Sequence, residues 1–279
     1  FFLNFAKILI SIILLYFVFA KIPFKEVAKL WKTVDFFYLF LGALFFLFSQ
    51  ILSAKRLELY LHSSGFALSF ESNLKLYFLG MFYNFFIPGG IGGDAYKVYI
   101  LNKKFSWNAK RVTSALFSDR LSGLIAIILI ICLFSAILLP ELSWIFLLMM
   151  PFGLWLSYFL ILKLFSKFKK IFWQSLGWSV AVQVLQIVSF TFLLMSVGVG
   201  SDFVKYAAMF LLSSVLSLVS FAGIGIREML FFQISKYYQF SPTHSVAASL
   251  LFTVITAFFS LFGLYFQLRK LNLALIEES

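Results

Sequence analysis

Long apolar runs separated by short polar links make up nearly the whole chain. The runs fall at about 2–20, 36–54, 74–87, 112–139, 142–162, 172–197, 203–221 and 245–268. An α-helix rises about 1.5 Å per residue, so about 20 apolar residues cross a hydrocarbon core of about 30 Å. The pattern therefore predicts about eight helical spans. The third run is short for a crossing and leads into N-F-F-I-P-G-G-I-G-G-D-A-Y-K at 84–97. Glycine opens backbone conformations other residues avoid, and proline removes a hydrogen-bond donor. Inside an apolar segment, the freed backbone groups need protein or water partners. This stretch reads as a half-helix that dips in and stops. Between the first two runs, Lys21, Lys25, Lys29 and Lys32 recur at helical spacing, consistent with a surface amphipathic helix or a solvated basic link.

A second break, Gly223-Ile224-Gly225-Ile226-Arg227-Glu228, ends the seventh run as Gly90-Ile91-Gly92 ends the third. The runs that follow begin with Thr113-Ser114-Ala115-Leu116 and Ala247-Ala248-Ser249-Leu250. The expectation is an internal duplication, with halves at about 36–139 and 172–269. The two broken segments would then face one another near a pseudo-twofold axis, as in many transporters.

Composition sharpens the class. Of 279 residues, 62% are hydrophobic and 12% charged, with a mean hydropathy of +1.00. That lies far from a soluble domain and predicts an all-α polytopic membrane bundle, one domain over 1–279, without a soluble catalytic domain. The net charge of +12 fits cytoplasmic loops and anionic lipid, not nucleic acid. The single cysteine, Cys132, allows no intrachain disulfide. The first run lacks a small-residue cleavage site and reads as a retained span. If all eight runs cross, the links after the first, third, fifth and seventh hold about 15 basic residues against about 7 elsewhere. That puts both glycine stretches on the cytoplasmic side and both termini outside; a re-entrant segment would invert part of this.

A charge deep in a bilayer costs at least about 2.5–3.5 kcal/mol. Three sets sit at or inside span ends: Asp94 with Lys97, Asp119-Arg120, and Arg227-Glu228. Sequence neighbours do not face each other on a helix, so Asp119 and Arg120, and likewise Arg227 and Glu228, should reach for partners on other helices. Asp94 or Asp119 could pair with Arg227. Ser179, Gln183 and Gln186 share one face of the sixth run and are candidates to line a cavity. Ser213, Ser217 and Ser220 suit close helix packing, while His62 and His244 read as isolated surface residues. Nothing resembles a metal site, a phosphate loop ending in Gly-Lys-Ser/Thr, or a nucleophile with its base, so no cofactor is expected.

The residues Asn84, Pro88 to Asp94, Lys97, Asp119-Arg120 and Gly223 to Glu228 together resemble the signature of the lysylphosphatidylglycerol synthase transmembrane (flippase-like) family. That family includes the flippase half of the bifunctional multiple peptide resistance factor. Lys55-Arg56 falls where the family usually carries Arg; Lys97 stands where Arg is commoner and Asp119 where Glu is commoner, both conserving charge sign. The resemblance implies translocation of a polar-headed lipid across the cytoplasmic membrane, such as an aminoacylated phospholipid or a polyprenyl-phosphate carrier. Arg56, Lys97, Arg120 and Arg227 would attract the lipid phosphate. Asp94, Asp119 and Glu228 would hold them or meet an amine, and Asn84, Gly89, Gly90, Gly92, Gly93, Gly223 and Gly225 would shape the headgroup site, with Gln183 and Gln186 lining it. The expected partners are the membrane lipid and a further copy of the chain or a separate lipid-modifying enzyme. Two other classes stay open: an integral membrane enzyme acting on lipid phosphates or lipid-linked sugars, and an ion-coupled exporter of small solutes.

Overall fold

The computed structural model describes residues 29, 33–86, 92–219, 230–231, 234, 242–269 and 271–276. They form eight α-helices: α1 Phe36–Ser63, α2 Phe70–Phe86, α3 Gly92–Phe105, α4 Ala109–Leu138, α5 Ser143–Leu164, α6 Phe172–Ser196, α7 Phe203–Val219 and α8 Pro242–Leu268. Short 3-10 turns at Pro140–Leu142 and Ser166–Ile171 flank α5. Each apolar run from the second onward yields a helix. The first run, most of the 21–35 link and the second glycine stretch lie outside the described residues.

Local chemistry sets the ends. Asp35 caps α1 by accepting from Phe37 N at 2.9 Å, and Asn108 caps α4 by accepting from Arg111 N at 3.1 Å; each satisfies a backbone donor the helix leaves open. The α1 helix runs beyond the expected limit at 54. Lys55 and Glu58 pair at 2.5 Å along one edge, and Arg56 turns inward, so neither charge ends the helix.

Among the described residues, five helices are long and apolar enough to cross a membrane: Phe36–Ser63, Ala109–Leu138, Pro140–Leu164, Ser166–Ser196 and Thr243–Leu268. At about 1.5 Å per residue, α2 and α3 reach only about 25 and 21 Å. They pack as an antiparallel hairpin. Gly93 lies so close to the Gly80 carbonyl that a Cβ would overlap it, and Gly93 N donates to Asn84 Oδ1 at 2.8 Å.

Both outer ends of this hairpin meet the same C-terminal strap. Ser69 N donates to Ala274 O at 3.1 Å, Ile276 N to Ala67 O at 2.9 Å, and Ala274 N to Ser72 Oγ at 2.7 Å. From the α3 side, Lys104 Nζ donates to Leu273 O at 3.0 Å. Leu273 is buried beside Leu68, Leu76 and Leu101. The hairpin therefore enters and leaves at one end of the bundle, here called end A, with the 165–171 link, whose Phe168 packs edge-on to Tyr60. The 33–35 link lies at the opposite end B, where Asp35 N bonds Ser196 O at 2.9 Å.

This geometry corrects the alternation of links expected from eight full crossings. The links on either side of the hairpin share an end, because two short arms that pack on each other return the chain to the side it left. End A carries Lys103, Lys104, Lys110, Arg111, Lys163, Lys167, Lys169, Lys170 and Arg269. Among the residues described from 33 onward, end B carries Lys205, which sits 2.7 Å from Asp202 and, by that hydrogen bond, holds its carboxyl below the usual pKa; Lys21, Lys25, Lys29 and Lys32 lead in sequence into the 33–35 link. His62 is also better tied than expected, with Nε2 2.9 Å from Leu68 O in the α1–α2 link.

Packing divides by helix. The α1 and α6 helices lie together along their length: Gly42 sits under Leu193, and Ser189 Oγ donates to Gly42 O at 2.7 Å. The α2 helix packs chiefly on α8, where Gly263 meets the Phe78 carbonyl. Stacked Phe190, Phe210 and Phe231 with edge-on Phe252 form the main core. Only Ile161 of α5 is buried, so that helix presents its apolar surface outward.

Candidate charged site inside the bundle

Two ion-pair clusters sit side by side at α4. In the inner one, Arg56 Nε meets Asp119 Oδ1 at 2.8 Å and Nη2 meets Oδ2 at 3.3 Å, while Nη1 donates to Ser179 Oγ at 2.9 Å. Ser179 Oγ contacts Ser122 Oγ at 3.1 Å, and Tyr60 donates to Ser175 Oγ at 2.9 Å. A bidentate pair with further hydrogen bonds is the arrangement that makes buried charge tolerable. The Arg56 and Asp119 side chains are 8% and 10% exposed. Gly123 leaves the room: a Cβ there would stand 3.1 Å from Arg56 Nη1.

In the outer cluster Asp94 takes two cations, Lys97 Nζ at 3.3 Å and the Arg120 guanidinium in close contact. Lys97 is sealed, with its ammonium 5.1 Å above the Tyr77 ring and its stem in the notch left by Gly80. A lysine over an aromatic face recovers part of its lost hydration. Arg120 differs: its side chain is 37% exposed. Asp94 and Arg120 lie about 16 Å along their helices from Phe105 and Ala109, about half the depth of a hydrocarbon core.

The neighbours Asp119 and Arg120 indeed reach for different helices, α1 and α3, since successive helical residues point about 100° apart. The structure brings Arg56, Asn84, Gly92, Gly93, Asp94, Lys97, Asp119 and Arg120 into this region, in two clusters rather than one. Gln183 stands one turn beyond Ser179, 5% exposed, with its Oε1 unpartnered among the described residues. Gln186 is half-buried, and among the described residues neither amide bonds to the charged groups. Gly89, Gly90, Gly223, Gly225, Arg227 and Glu228 lie outside the described residues.

Reading by charge and motif missed Ser122, Tyr60, Gly80 and Gly123. The one signal pointing to the glycines was their isolation within apolar helical runs, which marks close approach of another group.

A helical membrane bundle with paired charges at mid-depth defines the class: a polytopic protein holding a polar site within the bilayer. The chain belongs to the family described as the lysylphosphatidylglycerol synthase TM region, which matches residues 4–172. The match includes α1 to α5 with both clusters' charged residues and stops at the start of α6. No curated protein and no solved structure matches the chain.

Proposed function

We propose that the protein translocates a polar-headed lipid, with the headgroup received at Arg120, Asp94 and Lys97 while the acyl chains stay in the bilayer. The observation that carries this reading is the partly exposed Arg120 side chain at mid-depth, held by Asp94 and backed by sealed Lys97. A guanidinium fork suits a phosphate, and an intramembrane ionisable cluster marks a path for polar cargo. The sealed Arg56–Asp119 pair acts as the anchor that fixes α4 beside it. End A, with its excess of Lys and Arg among the residues described from 33 onward, faces the cytoplasm by the positive-inside rule, in the cytoplasmic membrane. Helix directions support the inverted repeat. The α1 and α6 helices run antiparallel, as do α4 and α8, and the α2–α3 hairpin enters from end A where α7 enters from end B.

The test is dithionite protection of fluorescent phosphatidylglycerol and its lysyl ester in proteoliposomes. Arg120→Gln should slow flipping of the preferred lipid by about tenfold to hundredfold, the rate equivalent of one charge-assisted hydrogen bond at about 1.5–3 kcal/mol. Asp94→Asn should weigh more heavily on a lysyl headgroup than on the bare phosphate. An Arg120→Gln protein that flips every lipid at the wild-type rate sinks the site assignment.

A further inference from the structure

The close approaches that knit the bundle fall into two sets. Gly42 under Leu193, and Gly123 against Arg56, lock α1 to α6 and α4. Gly93 on Gly80, and Gly263 on Phe78, lock α3 and α8 to α2. Hydrogen bonds between helices largely follow the same division. Arg56 joins α1, α4 and α6, and Ser189 joins α6 to α1. Tyr96 donates to Gln267 Oε1 at 2.9 Å, joining α3 to α8, and the 271–276 strap ties both outer ends of the hairpin to the end of α8.

The seam between the two sets is different in kind. Phe46 of α1 meets Phe252 and Phe259 of α8 through ring contacts at 5.3 and 5.7 Å, which carry no directional bond. Among the described residues, polar contacts across it are Tyr77 to Gln50 Oε1 at a long 3.3 Å and to Ser53, Asn73 Nδ2 to Ala54 O near the end A link, the Lys55 ammonium 4.9 Å over the Phe70 ring, and Arg120 to Asp94 in the site.

Two described connections cross the seam, and each contains a residue with left-handed backbone: Gly65 at φ +82° and Ser106 at φ +56°. For serine that conformation is uncommon and stores strain. Phe66 and Phe105 sandwich Trp107 at 4.5 and 4.9 Å and so join the two links at one pivot.

We propose that α2, α3, α8 and the strap swing as one body against α1, α4, α5 and α6, about Gly65 and Ser106, and that this motion parts Asp94 from Arg120. It gives the lipid-flipping reading its moving part and rests on that reading for its purpose. Hinges are commonly a few such link residues between internally rigid bodies. Because the pivot is at end A, displacement is greatest at end B.

Spin labels test the motion without any lipid substrate. In a Cys132→Ser protein reconstituted in lipid nanodiscs, nitroxides at Trp144 and Thr243 span the seam at end B, while a pair at Phe37 and Trp144 stays within one body; all three positions are exposed. The cross-seam pair should give two distance populations whose weights shift on Arg120→Gln, and the control pair a single one. One unchanged population across the seam, or an equal split in the control, overturns the hinge.

A second arm ties motion to flux. Bridging Phe46→Cys to Phe259→Cys across the seam with a reducible bis-thiosulfonate should stop flipping until a reductant is added. The same bridge between Tyr96→Cys and Gln267→Cys should leave flipping as it was. A cross-seam bridge that leaves flux unchanged overturns the role in transport. If the unmodified protein flips none of the lipids, the functional reading fails, while the spin-label distances still decide the hinge.

Discussion

Asp119→Leu should cost the bundle about 3–5 kcal/mol, because it leaves the Arg56 guanidinium buried without its counter-charge. Arg56 is buried between α1, α4 and α6, with its Nε and Nη2 on Asp119 and its Nη1 on Ser179. Removing the carboxylate leaves one serine hydroxyl to serve a cation that can neither deprotonate nor reach water. The double variant Arg56→Met with Asp119→Leu should recover most of the loss, since well-packed apolar side chains of similar volume often replace a buried pair at little cost. Thermal unfolding in detergent, followed by exposure of the buried Cys132 thiol, ranks the three proteins. A double variant less stable than Asp119→Leu alone would show that the pair gives more than mutual compensation.

The second large effect is Gly93→Ala. Its Cβ would overlap the Gly80 carbonyl and crowd the Asn84 side chain at 2.8 Å, and backbone cannot yield as a side-chain tip can. The arms must part, at about 1–3 kcal/mol for overpacking, plus about 1 kcal/mol for the lost Gly93–Asn84 hydrogen bond. Gly80→Ala makes the informative contrast. There the new methyl meets the flexible end of Lys97, so stability should change little, while Lys97 leaves its notch and its contact with Asp94. The expected outcome is a lowered unfolding temperature for Gly93→Ala only, with flipping lost in both. A Gly80→Ala protein with full activity would remove Lys97 from the site.

Much of this was legible along the chain. Because bilayer thickness fixes how many residues a crossing needs, apolar run lengths gave every described helix except α3, whose 92–105 stretch read only as a glycine break and a basic link. Even the shortness of the run at 74–87 was informative, since α2, Phe70–Phe86, reaches only about 25 Å. Adjacent opposite charges at 119 and 120 announced partners on separate helices, because helical geometry forbids them to meet. What the pattern did not carry was direction. A short apolar run can belong to a re-entrant arm or to a crossing, so the side on which each link emerges stayed open. It took the strap, bonded to Ser69, Ser72 and Lys104, to place both ends of the hairpin together.

The sequence by itself determined a helical membrane bundle of this family, with its break points and its costly charges, because those are properties of composition and spacing. Only the tertiary structure decided which charges pair. Asp119 goes to Arg56, and Asp94 to Lys97 and Arg120. That choice depends on where glycines let helices approach, a contact between residues far apart in the chain that no local pattern encodes.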